Sequence, residues 1–143
     1  MKTLQQIFDI VIVALRAQGC PSYRLPISVS PQKPIAGCLY RGPNGAKCAI
    51  GHLIRDEDYK PEFEMKGINA DIRTALRKNG VNVFQNFELA TAEELRTFEF
   101  LKKLQVAHDI FAGMSNEIWR DELEKRFNLI ADDFNLIYTP PAA

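Results

Sequence analysis

Leu4, Ile7, Phe8, Val11, Ile12 and Leu15 recur three and four residues apart, the period of one helix face. Thr3 is a capping residue type, and Gly19 with Pro21 stops the run, so the spacing predicts a helix over 3–18. Ile10 and Val13 fill the opposite face, and a helix apolar nearly all round is expected to be the most buried one. The pattern then breaks. Pro21, Pro26, Pro31 and Pro34 interrupt residues 20–36, where Leu25–Val29 offers an edge strand at best. Ala36–Arg41 reads as a short strand, Pro43-Asn44-Gly45 as a tight turn, and Ala46-Lys47 as the returning arm of a small hairpin. A short helix is expected over Cys48–Ile54, ending at Arg55-Asp56-Glu57-Asp58.

The second half is more regular. Asn69 caps a helix carrying Ile72, Ala75 and Leu76 that stops at Asn79-Gly80, and Val81, Val83, Phe84 and Phe87 form an apolar connector. Thr91-Ala92-Glu93-Glu94 is a capping box that opens the longest helix, with Leu95, Phe98, Leu101, Leu104, His108 and Phe111 as its inner stripe. Running to Ala112, it would be about 33 Å long. After Gly113, Ser115 caps a last helix with Ile118, Trp119, Leu123, Phe127, Ile130 and Phe134 on one face. Residues 91–134 therefore form an αα-hairpin, and a tail of Leu136-Ile137-Tyr138 is expected to dock before it frays. The fold class is α+β and mostly helical, with about five helices around a small β-hairpin, in a single domain spanning 1–143.

Composition excludes several classes. With 46% hydrophobic and 25% charged residues, the chain has the make-up of an ordinary globular protein. No apolar run reaches the roughly 18 residues of a membrane span, and no cleavable leader is visible, so a cytoplasmic location is expected. Net charge is zero, which disfavours nucleic acid as a partner, and the aromatics lie on helix faces rather than on a stacking platform. The charge is unevenly spread, however: residues 1–55 carry seven cations and one acid, whereas residues 56–143 carry eleven cations and seventeen acids. The two halves either complement each other across the fold or present a cationic corner and an acidic face to partners.

Candidate chemistry gathers in residues 38–54. Arg41 and Lys47 around the glycine turn suggest a cradle for a small anion or nucleotide, although the Walker spacing is absent and Pro43 removes an amide. Cys48 beside Lys47 at a helix start has the setting that lowers a thiol pKa, with His52 one turn on or His108-Asp109 as the base of a Cys–His hydrolase. Against it, His108 lies on an apolar stripe, where a satisfied core histidine is commoner, and free cysteines are mostly buried. Cys38, Cys48, His52 and His108 have the chemistry of a zinc staple without its usual spacing. The run Asp56-Glu57-Asp58, followed by Glu62 and Glu64, lacks the glycine of a calcium loop and reads as a solvated face or a surface for a basic partner. No cofactor is implied.

Cys38-Leu39-Tyr40-Arg41-Gly42-Pro43-Asn44-Gly45-Ala46-Lys47-Cys48-Ala49-Ile50-Gly51, followed by Leu53-Ile54 and Tyr59, resembles a motif in a group of small proteins of phages, prophages and bacteria. In that group a similar Thr-Leu-Gln-x-Ile-Phe-Asp helix precedes the motif, matching Thr3–Asp9. The likeness covers most of the chain and is densest over 38–54, while the segment 20–36 is longer than the group's link. The resemblance carries no established activity. It implies a phage or mobile-element accessory protein that binds a host protein without catalysis, in the host cytoplasm, with anti-defence action such as anti-CRISPR as one form. The expected contact residues are Arg24, Tyr40, Arg41, Asn44, Lys47, Asp56, Glu57 and Asp58. Tyr23 and Tyr59 are further possible anchors, and Trp119 is assigned to the core.

Overall fold

The computed structural model describes residues 1–28 and 34–142, with the backbone alone for 24–28 and 34–36. Four α-helices dominate it: α1 (Leu4–Gln18), α2 (Ala70–Lys78), α3 (Ala92–Asp109) and α4 (Asn116–Phe134). Each begins where a side chain takes up a free amide. Thr3 accepts the Gln6 N–H, Asn69 that of Ile72, Thr91 that of Glu94 and Ser115 that of Ile118. Thr3–Gln6 and Thr91–Glu94 are reciprocal capping boxes. Gly19 ends α1 at φ 69°, a left-handed conformation that a side chain would strain.

Helices α1, α3 and α4 enclose the core. Phe8 meets Phe127 edge-on at 6.0 Å and Phe100 at 6.2 Å, and Phe100 meets Phe134 at 5.1 Å. Trp119 is fully buried, as its helix face required, and its Nε1–H donates to the His108 carbonyl at 2.8 Å. Val81, Val83 and Phe84 of the connector are buried, whereas Phe87 is exposed. Among the described residues, no helix is long and apolar enough to cross a membrane.

Three local expectations are corrected. The strand before the motif does not pair across the 43–45 turn. Strand β2 (Pro34–Cys38) instead runs antiparallel to β1 (Tyr23–Ser28), with Tyr23 opposite Cys38, an irregularity between Arg24 and Ile27, and the connecting residues 29–33 outside the described ones. The turn chemistry itself holds: Asn44 and Gly45 take φ 57° and 77°, and the Gly42 N–H closes the loop on the Ala46 carbonyl at 2.7 Å. No α-helix forms over 48–54. A turn leads into one 3-10 turn at Gly51–Leu53, in which Leu53 N–H reaches the Ile50 carbonyl and Ile54 N–H that of Gly51, and Arg41 and Asn79 take the carbonyls at its end. Finally, α1 is not wholly buried: Ile10 is 38% and Val13 66% exposed.

Candidate functional site

The 38–54 segment is irregular, so its backbone groups need partners from outside. Arg41, itself part of the segment, serves three of its carbonyls, and side chains from other elements serve further groups. Its Nη1 donates to the carbonyls of Gly51 (2.8 Å) and Tyr40 (3.2 Å), and its Nη2 to the Ile54 carbonyl (2.8 Å) and Asp56 Oδ1 (3.1 Å). Its guanidinium lies 4.8 Å from the Tyr59 ring centre. Glu64 completes the arrangement from below. Its carboxylate accepts the N–H groups of Tyr40 (2.8 Å) and Arg41 (3.1 Å) and the Tyr59 hydroxyl (2.6 Å). A fork of donors and a bidentate carboxylate thus fasten one strand end, one 3-10 turn and the acidic run together.

Neighbouring elements close the rest. Gln18, at the end of α1, donates to the carbonyls of Cys20 (2.7 Å) and Lys47 (3.0 Å) and accepts the Lys47 N–H at 2.9 Å. Its oxygen is therefore an acceptor, so His52 Nε2, 3.0 Å away, carries a proton. The Ser22 hydroxyl donates to the Leu39 carbonyl at 2.6 Å, Asn79 to that of Leu53 at 2.8 Å, and Gln105 accepts the Ile50 N–H at 3.1 Å. Two motif glycines serve close approach. A Cβ on Gly42 would strike the Ser22 hydroxyl, and one on Gly51 would strike the Tyr40 carbonyl, both inside 3.0 Å. Gln18, Ser22 and Gln105 carried no signal in the sequence, because each acts across a distance that no local pattern records, and Glu64 was visible only as part of the acidic run.

This geometry leaves the expected cradle filled. Lys47 Nζ lies 3.3 Å from Asp56 Oδ1, the same oxygen that Arg41 holds, so a carboxylate of the chain sits where an external anion would bind. The Lys47 hydrogen bond, followed by the charges of Lys47 and Arg41, keeps the Asp56 carboxyl below its ordinary range. Tyr40 is buried and donates its hydroxyl to the Lys66 carbonyl at 2.7 Å. Arg55, exposed beside the acidic run, pairs with Asp58 at 2.7 Å and Glu57 at 3.6 Å. Asn44 is exposed, and the Arg24 side chain lies outside the described residues.

The thiol geometry is opposite to that of an activated nucleophile. No α-helix begins at Cys48. Its sulfur is buried and accepts the Gly51 N–H at 3.3 Å, and burial pushes the thiol pKa up to about 12. Cys38 is raised too, by burial first and then by Asp109. His108 is a fully buried core histidine: its Nε2 accepts the Ser22 N–H at 2.9 Å, so Nδ1 carries the proton and donates to Asp109 Oδ1 at 2.8 Å.

Among the described residues, Cys38, His108 and Asp109 each place a potential metal-ligand atom within 4.8 Å of the others. The donor set does not fit a metal. Binding at Nδ1 would displace its proton while Nε2 still faces an amide donor, leaving an imidazolate or breaking the Ser22 bond. Cys48 and His52 belong to other hydrogen-bond sets, so the four-residue zinc staple is not assembled.

Burial, then the charge of Lys47, hold the His52 pKa at about 4, below the ordinary 6.5. The unfolded chain therefore takes up a proton at a pH where the folded chain does not. Stability attributable to this residue is complete above pH 6.5 and is lost as the pH falls from there towards about 4. Replacing His52 by Gln should flatten that part of a melting temperature–pH profile. An unchanged slope would assign the acid sensitivity to other groups.

Two of the surface grooves among the described residues adjoin α1 or the helical hairpin. One, of about 540 Å³, lies between the end of α1 and the 43–46 loop, with Ala14, Ala17, Pro21, Tyr23 and Pro43 among its lining residues. The other, about 370 Å³, lies between α3 and α4 over Val106, Leu129 and Ile130, where Lys102 pairs with Glu99 and Lys103 with Asp133. No protein-family model, curated protein or solved structure matches the chain.

Proposed function

We propose that the chain is a non-enzymatic binding protein of phage or mobile-element type, which acts in the host cytoplasm by docking onto a host protein, with anti-defence action as one form. The observation that carries this reading is the outer face of α1. Ile10 (38% exposed), Val13 (66%) and the exposed Ala17 form an apolar stripe on the solvent side of α1, beside the exposed Gln6 and Asp9, and the stripe runs into the groove beside Pro43 and Asn44. A helix with no packing need for apolar residues on its solvent face would carry polar ones there. The groups suited to catalysis or anion binding are already engaged inside the chain, which favours recognition over chemistry. The docking surface is the uncharged side of the turn rather than its cations, so binding should depend little on salt.

Val13→Glu tests this directly. An exposed helix position tolerates glutamate, so stability should change by no more than about 0.5 kcal/mol. A charge placed in an apolar contact should weaken partner binding by about tenfold or more. The measurement is capture of a stoichiometric protein from bacterial lysate by wild-type and variant chains with matched melting temperatures. Equal capture by both, or no partner for the wild type, overturns the reading.

A further inference from the structure

The segment after α4 does not leave the fold. Asn135 takes φ 55°, and the Leu136 N–H bonds back to the Ala131 carbonyl at 2.8 Å, which turns the chain over the seam between α1 and α4. There Leu136 and Tyr138 are half-buried while Ile137 and Thr139 are exposed, the period of an extended chain with alternate side chains facing down. Gln5 grips both backbone groups of Ile137: its Oε1 accepts the N–H at 2.8 Å and its Nε2 donates to the carbonyl at 3.1 Å, as a neighbouring strand would. Arg16 donates to the Thr139 carbonyl at 2.8 Å and is itself fixed by Glu124 at 2.7 Å. The Tyr138 hydroxyl donates to the same Glu124 oxygen at 2.9 Å. Beside the segment, next to Pro141, is a slot of about 280 Å³ floored by Leu15, Trp119 and Leu123.

We propose that the α1–α4 seam is a binding site for an extended peptide with apolar and tyrosine side chains at alternate positions and proline following, and that residues 136–141 are its built-in occupant. The seam has the parts such a site needs. Gln5 reads backbone in both directions, the Arg16–Glu124 pair reads a tyrosine hydroxyl and the next carbonyl, and an apolar slot adjoins them. The occupant is releasable, because the Gln5 and Arg16 bonds to its backbone are solvent-exposed and Ile137 is 76% exposed. Tethering gives the segment a millimolar effective concentration, which masks the site against peptides in solution. This proposal stands on a different surface from the α1 stripe and does not depend on it.

The experiment uses the full chain carrying Ile137→Pro and Tyr138→Ala, which removes the N–H that Gln5 accepts and the hydroxyl that Glu124 accepts, but leaves the seam intact. A fluorescent peptide with the wild-type sequence of residues 135–142 is titrated into variant and wild-type chains and followed by anisotropy. The variant should bind it about tenfold or more tightly than the wild type, and should still melt cooperatively. Equal binding, or none to a cooperatively folded variant, overturns the proposal. So does loss of cooperative melting, which would make the segment an integral wall of the fold.

Discussion

Arg41→Ala should lower the unfolding free energy by about 3 kcal/mol and the melting temperature by about 10 °C. The side chain is largely enclosed, and truncation leaves the Gly51 and Ile54 carbonyls, each now 2.8 Å from a guanidinium donor, without that partner. The Tyr59 face also loses its cation, and Asp56 loses one of its two, keeping Lys47. Bonds to a charged donor are worth more than neutral ones, and an orphaned buried acceptor carries its full desolvation cost. Arg41→Lys should recover only part of the loss, because an ammonium cannot span carbonyls on both sides of the fork. Urea unfolding of the three chains decides the matter. A midpoint unaffected by Arg41→Ala would mean that the residue faces a ligand rather than the fold.

Gly51→Ala should destabilise by a similar amount, about 3 kcal/mol, at the upper end of what overpacking costs. The added carbon would meet the Tyr40 carbonyl inside 3.0 Å, and that obstacle is backbone rather than a side chain free to swing aside. Tyr40 cannot retreat easily: Glu64 holds its N–H at 2.8 Å and its hydroxyl is bound to the Lys66 carbonyl at 2.7 Å. Gly45→Ala serves as the comparison. That glycine has φ 77° but nothing near its Cβ position, so its penalty is backbone strain alone, about 1 kcal/mol. If the two variants melt alike, close packing at Gly51 is not what the motif protects.

The helical framework was legible from local signals. Thr3, Asn69, Thr91 and Ser115 start the four helices where their side chains predicted, and the 91–134 hairpin follows from one capping box and one serine. The core histidine and the buried tryptophan were legible as well, since both lie on apolar stripes. The motif was visible as a dense stretch but was read for the wrong physics. A helix and a hairpin keep their hydrogen bonds local, whereas residues 38–54 send theirs to Gln18, Ser22, Glu64, Asn79 and Gln105. The partner of β2 was visible only as a candidate edge strand over Leu25–Val29, because Pro26 argues against ladder positions. The exposure of Val13 was missed although Gln6 and Asp9, seven and four residues before it on the same face of α1, mark the side that meets solvent.

If Arg41 and Gly51 are parts of one internal clasp, their effects cannot be independent, because both act on the Tyr40 carbonyl and Arg41 also holds the Gly51 carbonyl. The decisive measurement is a double-mutant cycle of Arg41→Ala and Gly51→Ala, read by urea unfolding. The clasp predicts that the double variant loses at least about 1 kcal/mol less than the two single losses combined. Additivity within about 0.4 kcal/mol would contradict it, and would return the cationic corner to the status of a separate site.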